Sequence, residues 1–490
     1  MIRADCWMTV SLMAEIASRW VENGEIDRLC SMQRAPSAPP MRPQEPERVP
    51  RPHRRRWPHR QPEAIHAIPS LQRFIAAYRF GQCRPSRVRR AFNRLAWSNL
   101  FAQSAEQISL AAAPLVAVFA LDASASDTGL LQTAQTLPFL LLSIPLGVWA
   151  DRHSRRTLMT VAEAVRVAAL VAVLALVYTH ALSLPLLMLL GFLGATGTVA
   201  YGVAAPALVP WLVAREQLAA ANGRVELARS VAYSAGPALG GLLVGWIGAG
   251  WAYGVAAGLS ALTVALLARL REPPRAASAH RHFLHELREG ARFVARDALL
   301  RPMLATAVFF NVGFFTLQAV YVPYAVHRLG LGASAVGVTL GAYGVGMVCG
   351  ALAAPAVARA LAFGRMLVIG PLCGLAASLV MVATLAVPSF LLATLSFFLL
   401  GVGPILWVVG STTLRQAITP GGMMARVSAI NATATQGARP LGALLGAAIS
   451  AHFGMDACLV AAAAAFAVQA AIIVVSPAAR LQGVPEAAAV

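Results

Sequence analysis

Lysine is missing altogether: all 40 basic residues are Arg. Without Lys there is no Walker A phosphate loop and no Lys Schiff base, so a self-contained ATP-driven pump is excluded. Acids are few as well, 21 against those 40, which leaves a net charge of +19. Charged residues make up only 12% of the 490, whereas a soluble chain carries roughly 25%. Hydrophobic residues reach 58% and the mean hydropathy is +0.64. So few charges cannot cover that much apolar surface in water, and the chain is read as an integral membrane protein.

The six cysteines (Cys6, Cys30, Cys83, Cys349, Cys373, Cys458) are scattered, with no C-x-x-C and no His at ligand spacing. Neither a disulfide framework nor a metal site is supported. Residues 1–30 hold Asp5, Glu15, Glu22, Glu25 and Asp27, which break any signal-peptide core. No Ser/His/Asp triad, paired-carboxylate site or Gly-x-Ser-x-Gly elbow is found, and no enzyme activity or cofactor is expected.

Residues 1–94 differ from the rest in being rich in Arg and Pro, with runs such as Arg54-Arg55-Arg56. Such a segment buries too little apolar surface to offset its chain entropy and is expected to be a disordered cytoplasmic tail. Its last part, with Arg84, Arg87, Arg89, Arg90 and Arg94, is expected to meet anionic lipid rather than nucleic acid.

From residue 95 the chain becomes a series of apolar stretches, each near the ~20 residues that cross a bilayer. Twelve are expected, near 95–121, 129–150, 157–178, 182–206, 226–248, 250–270, 303–327, 335–358, 365–386, 388–411, 427–450 and 454–476. Arg follows the even-numbered spans, as with Arg152, Arg155 and Arg156, or Arg415 and Arg426. Of the odd-numbered spans only the seventh is followed by one, Arg328. The positive-inside rule then places both termini and the central loop in the cytoplasm.

The expected organisation is an all-α membrane protein. Residues 95–270 form one six-helix bundle, 271–301 a cytoplasmic linker, 302–476 a second six-helix bundle and 477–490 a short cytoplasmic tail. In the linker, Phe283, Leu284, Leu287, Phe293 and Val294 recur at near-helical spacing among Arg and Glu, which predicts an amphipathic helix on the membrane surface. The bundles also resemble each other: shifted by 202 residues, Arg224-Val225 falls on Arg426-Val427 and Leu239-Gly240 on Leu441-Gly442. Repeats of this kind mark transporter folds, which bind substrate between the halves.

The loop after the second span reads Gly147-x-x-x-Asp151-Arg152-x-x-Arg155-Arg156. It sets a carboxylate at the membrane edge among guanidinium groups, which can latch one arrangement of two bundles. The fifth span carries Gly236-Pro237-x-x-Gly240-Gly241, suited to close helix contact and a kink. On these residues the sequence resembles the major facilitator superfamily, and more closely its secretion-effector and siderophore or drug exporter subgroup. The first loop matches the family's switch motif and the fifth span its exporter-type motif. In the second half the switch motif is degraded, with Ala358 in place of the Asp before Arg359. The family's Arg in the fourth span, linked to proton transfer, is replaced by Leu190.

Ionisable groups at membrane depth are costly and mark pathways. Glu106 lies mid-span in the first helix, Glu163 and Arg166 one turn apart in the third, and Arg439 mid-span in the eleventh. Glu163 and Arg166 read best as a structural pair. Glu106 and Arg439 have no local partner and read as functional, and the candidate substrate and proton pathway comprises Glu106, Glu163, Arg166 and Arg439. The expected function is export of a small molecule by alternating access, with protons as the coupling ion in an antiporter. The protein is expected to act as a monomer in the cell inner membrane, with no nucleic acid partner. An importer or uniporter of the same fold, or less favourably a membrane enzyme or receptor, are the alternatives.

Overall fold

A computed structural model describes residues 86–213, 218–270, 283–420 and 423–485. Among them the regular elements are α-helices and one 3₁₀ turn, Pro477–Arg480, with no strand. The first six helices are α1 (Ser86–Leu121), α2 (Ala125–Arg152), α3 (Arg155–Tyr178), α4 (Leu184–Leu212), α5 (Leu218–Ile247) and α6 (Ala249–Ala268). A short helix, α7 (Phe283–Arg296), leads to α8 (Leu300–His327), α9 (Ala333–Ala360), α10 (Phe363–Ala383) and α11 (Phe390–Ile418). The last, α12 (Met424–Val475), breaks into two arms at Gly454, where φ is +82° and a residue without Cβ turns the chain back.

Setting α7 aside and counting both arms of α12, these are the twelve membrane helices of the expected fold. Length and hydropathy alone mark nine described stretches as spans, with the two arms of α12 counted together. The helices outside that count are α2 and α5. The first carries Gln132, Thr133, Gln135 and Thr136 in one run, and the apolar part of the second is only Val231–Ile247. Both line the junction between the halves, where a purely lipid-facing composition is not needed.

The expected start at residue 95 is corrected. Helix α1 begins at Ser86, so residues 86–94 belong to the first helix rather than to the tail. Arg is a good helix former. Phe92 and Leu95 are buried against Leu158 and Leu208, and Arg94 donates from Nη1 to the Arg269 carbonyl at 2.7 Å. The remainder of the expected tail, 1–85, lies outside the described residues, as do 214–217 and the first part of the linker, 271–282.

Caps set the tight turns. Ser124 and Asp127 form a reciprocal capping box at the start of α2, and the Ser154 hydroxyl accepts from the Thr157 N–H at 3.1 Å to start α3. Only His153 and Ser154 separate α2 from α3.

The first bundle packs α1 on α5 and α6, and α3 on α4 and α6. The second packs α8 on α12, and α11 on α9 and α10. Across the halves α5 meets α9, and α2 meets α12. With no hydrophobic drive between helices in lipid, small residues decide these crossings. A methyl on Gly241 would meet the Gly337 Cα at 2.5 Å, and one on Gly129 would meet the Ala447 Cβ at 2.7 Å. The Gly-rich face of α9 serves the same contact, with Gly341 against Ala238 of α5.

The linker helix α7 is docked rather than loose. Val294 packs with Leu300 and Val427, and Glu289 pairs with Arg426 at 2.6 Å. Asp297 then accepts from the N–H groups of Leu299 and Leu300 at 2.9 and 2.8 Å, capping the entry to α8. The linker helix thus belongs to the second half. The side chains of Phe283, Leu284 and Leu287 are outside the described set.

Candidate functional site

The two halves enclose a cavity of about 210 Å³. Drug-sized pockets run to roughly 300–1,000 Å³, so a bulky cargo needs the halves to part further. Glu106, Gln135, Arg166 and Tyr253 line it from the first half, and Asn311, Phe315, Tyr343 and Arg439 from the second. Leu190, at the position of the family's fourth-span Arg, is part of the wall.

The two intramembrane arginines at this cavity have opposite surroundings. Arg166 is fully engaged: Nε donates to the Gly194 carbonyl and Nη1 to the Ala102 carbonyl, both at 3.2 Å, and Nη2 donates to the Thr198 hydroxyl. Its Nη1 also lies 2.9 Å from Glu163 Oε1, while Ser260 donates to Glu163 Oε2 at 3.3 Å. The first contact is close but poorly aligned as a hydrogen bond, so it acts through charge. Helices α1, α3, α4 and α6 are thereby joined around one neutral pair. Glycines on α4 make the room, since a methyl on Gly197 would meet Arg166 Nε at 3.2 Å. The guanidinium that reaches α4 therefore comes from Arg166 of α3.

Arg439 is different. Its guanidinium lies over Phe139 of α2 at 5.2 Å and over Phe315 of α8 at 5.5 Å, one ring from each half. Its Nε has no hydrogen-bond partner, and no carboxylate lies within ion-pair distance among the described residues. Cation–π contacts of this kind offset only part of a buried charge.

Glu106, 8% exposed, faces Thr198 and feels the charges of Arg166, Glu163 and, most weakly, Arg439. It shares the cavity with Arg439, but the two are not bridged in this arrangement. Two buried groups that sequence reasoning missed also line the cavity. Gln135 Oε1 and the Tyr253 hydroxyl, in residues 5% and 2% exposed, have no hydrogen-bond partner. Nothing in a single sequence distinguishes a Gln or Tyr facing a cavity from one that packs.

The switch-motif residues are less alike than their spacing suggests. Gly147 faces Val203 with ordinary room, a methyl there standing 3.9 Å away. Asp151 and Arg152 close α2, and their side chains lie outside the described set. Arg155 is buried. Arg156 donates to the carbonyls of Leu267 and Ala268, at 3.1 and 2.5 Å, and so caps the end of α6 in its own half.

In α5, Gly236 and Gly240 face α1: a methyl on Gly236 would collide with Gln107, and one on Gly240 would meet the Ile108 carbonyl at 2.9 Å. Gly241 faces α9, and Pro237 lines the cavity. This motif is thus the joint at which α5 touches both its own bundle and the opposite one.

Two six-helix bundles around a shared cavity are the architecture of the major facilitator fold. The chain belongs to the transmembrane secretion effector family, whose profile matches residues 86–487. It is 28% identical over 236 residues to the multidrug efflux pump Tap of Mycobacterium tuberculosis, covering 46% of this chain and 54% of that protein. It is likewise 28% identical over 190 residues to macrolide efflux protein A of Streptococcus pyogenes, covering 38% and 46%. The chain thus spans about half the length of the curated relatives it matches. Among solved structures, a bacterial homologue of the lysosomal transporter spinster in an inward-facing, occupied conformation aligns with a TM-score of 0.62 at 17% identity, over 81% of this chain and 98% of that one. A D-xylose–proton symporter aligns equally well, at 0.62 and 13% identity, over 79% and 97%. At these identities the structures speak for the fold alone.

Proposed function

We propose that this protein exports a small molecule across the bacterial plasma membrane by alternating access, as a proton antiporter acting as a monomer with both termini in the cytoplasm. The observation that carries the reading is the placement of Glu106, a carboxylate without an ion-pair partner among the described residues, in the wall of the cavity between the two halves. A carboxyl there can exchange a proton with whichever side water reaches as the halves rock. The similarity to a multidrug efflux pump and a macrolide efflux protein supports export. Arg439 completes the pathway from the second half, while Glu163 and Arg166 hold the first half's framework. Asp151, with Gly147, Arg152, Arg155 and Arg156, forms the switch at the edge of α2. Gly236, Pro237, Gly240 and Gly241 form the joint on which the halves move.

The test is uptake into inverted vesicles, with a panel of drugs and siderophores and an imposed pH gradient. Accumulation of a panel member that collapses with the gradient is expected. Equilibration that ignores the gradient would replace the antiporter with a uniporter.

A further inference from the structure

The cavity carries two opposite charges that do not meet, and the unpartnered groups beside them sort by chemistry. On the first half are acceptors: the Glu106 carboxylate, which already has Thr198 as a hydrogen-bond partner, and Gln135 Oε1 and the Tyr253 hydroxyl, which have none among the described residues. An ammonium has three donors and no acceptor, and it is satisfied by a set of this kind. On the second half is a donor, Arg439, whose planar guanidinium suits a carboxylate or another oxyanion. Glu163 and Arg166 of the first half are paired at 2.9 Å and engaged with Ser260, Thr198 and backbone carbonyls, although the Arg166 charge also reaches Glu106. The charges at the cavity without an ion-pair partner among the described residues are therefore Glu106 on one half and Arg439 on the other, with aromatic rings such as Phe315 and Tyr343 beside them.

We infer that the cargo is a zwitterion with an apolar body. Its ammonium is held by Glu106, Gln135 and Tyr253, and its acidic group by Arg439. The inference rests on the cavity's being the transport site, and it deepens that reading by naming the substrate class. It also agrees with exchange against protons, because an ammonium and a proton compete for one carboxylate. A purely anionic cargo would instead bind best when Glu106 is protonated, which favours joint transport. Bridging the poles ties cargo to both halves at once.

Four probes of one shape separate the charges: naphthylalanine, its amide, its N-acetyl derivative and its N-acetyl amide. These are zwitterion, cation, anion and neutral. Binding is measured by calorimetry on the full-length protein in lipid nanodiscs. Each matched charge should tighten binding by about tenfold over the neutral probe, the range of a charged hydrogen bond. Arg439→Gln should erase the gain from the carboxylate and keep that from the ammonium. Arg439→Lys should restore part of it and controls for folding. Glu106→Gln should do the reverse, and Gln135→Leu should weaken only the probes with an ammonium. Equal binding of all four probes, no binding of the zwitterion at millimolar concentration, or a carboxylate gain that survives Arg439→Gln would overturn the inference. These readouts need no transport, so gradient-driven drug efflux with a charge-blind probe series would leave the exporter reading standing and remove this one.

Discussion

Gly240 of α5 rests on the α1 backbone at Ile108, and Gly442 of α12, 202 residues later, rests on the α8 backbone at Val312. The same helix crossing is made twice with the same residue type, so the two bundles repeat a packing plan. Their polar interiors do not repeat. The first bundle buries an ion pair, with Arg166 and Glu163 braced by Thr198 and Ser260. The second is held by hydroxyls: Tyr321 donates to Thr339 at 2.5 Å, Tyr324 and Thr384 share a hydrogen bond at 2.7 Å, and Thr316 donates to the Gly442 carbonyl at 2.9 Å. Its cavity charge, Arg439, falls at the same shift on Pro237 of the first half. The packing recurs between the bundles while the charged residues differ, which fits the proposal of unlike charges on facing halves.

The sharpest way to break this comparison is to unbalance the first half. Glu163→Ala leaves Arg166 buried without its counter-charge, a change that costs about 3–5 kcal/mol in comparable buried pairs. A large loss of folded protein is expected in fluorescence-detected size exclusion and thermal melting. Arg439→Gln removes a charge that has no carboxylate partner, so its melting temperature should hold or rise. Equal losses in the two variants would erase the distinction between the arginines.

A second cut is at the joint. Gly241→Leu puts a branched side chain where even a methyl meets the Gly337 Cα at 2.5 Å, so α5 and α9 must separate. Most transport should be lost, whereas Gly147→Ala, with 3.9 Å of room, should retain it. Transport undiminished by Gly241→Leu would show that this crossing does not close during the cycle.

These contrasts were only partly legible in the sequence. The twelve spans could be read because apolar length and Arg placement are local, and the reversal between the last two coincides with Gly454. The start of α1 was missed because Arg-rich composition looks disordered unless one sees that Arg94 and Phe92 have partners in distant helices. The spacing Gly191-x-x-Gly194-x-x-Gly197 on α4 was an available signal for a groove, which Gln135 meets at Gly191 and Arg166 at Gly194 and Gly197. Nothing in the sequence pointed to Phe139 and Phe315 as the rings flanking Arg439, since each lies on a different helix from it.

A smaller effect is expected at the switch loop. Asp151→Asn keeps the shape and removes the charge, so it should express normally and transport more slowly. Wild-type efflux at matched protein levels would take the gating role away from this residue. Smallest of all should be deletion of residues 1–80, which precede α1. Insertion and transport should survive it, and failure to accumulate would give that segment a part in folding or regulation.

In the proposed mechanism Glu106 of the first half carries the coupling proton, and Arg439 of the second does not neutralise it. The most direct measurement is proton-driven efflux by Glu106→Gln in inverted vesicles, read beside passive substrate exchange and beside the double variant Glu106→Gln/Arg439→Gln. Loss of gradient-driven efflux with exchange retained, and no recovery of stability in the double variant, is the predicted result. Unchanged proton-driven export by Glu106→Gln would contradict the account outright.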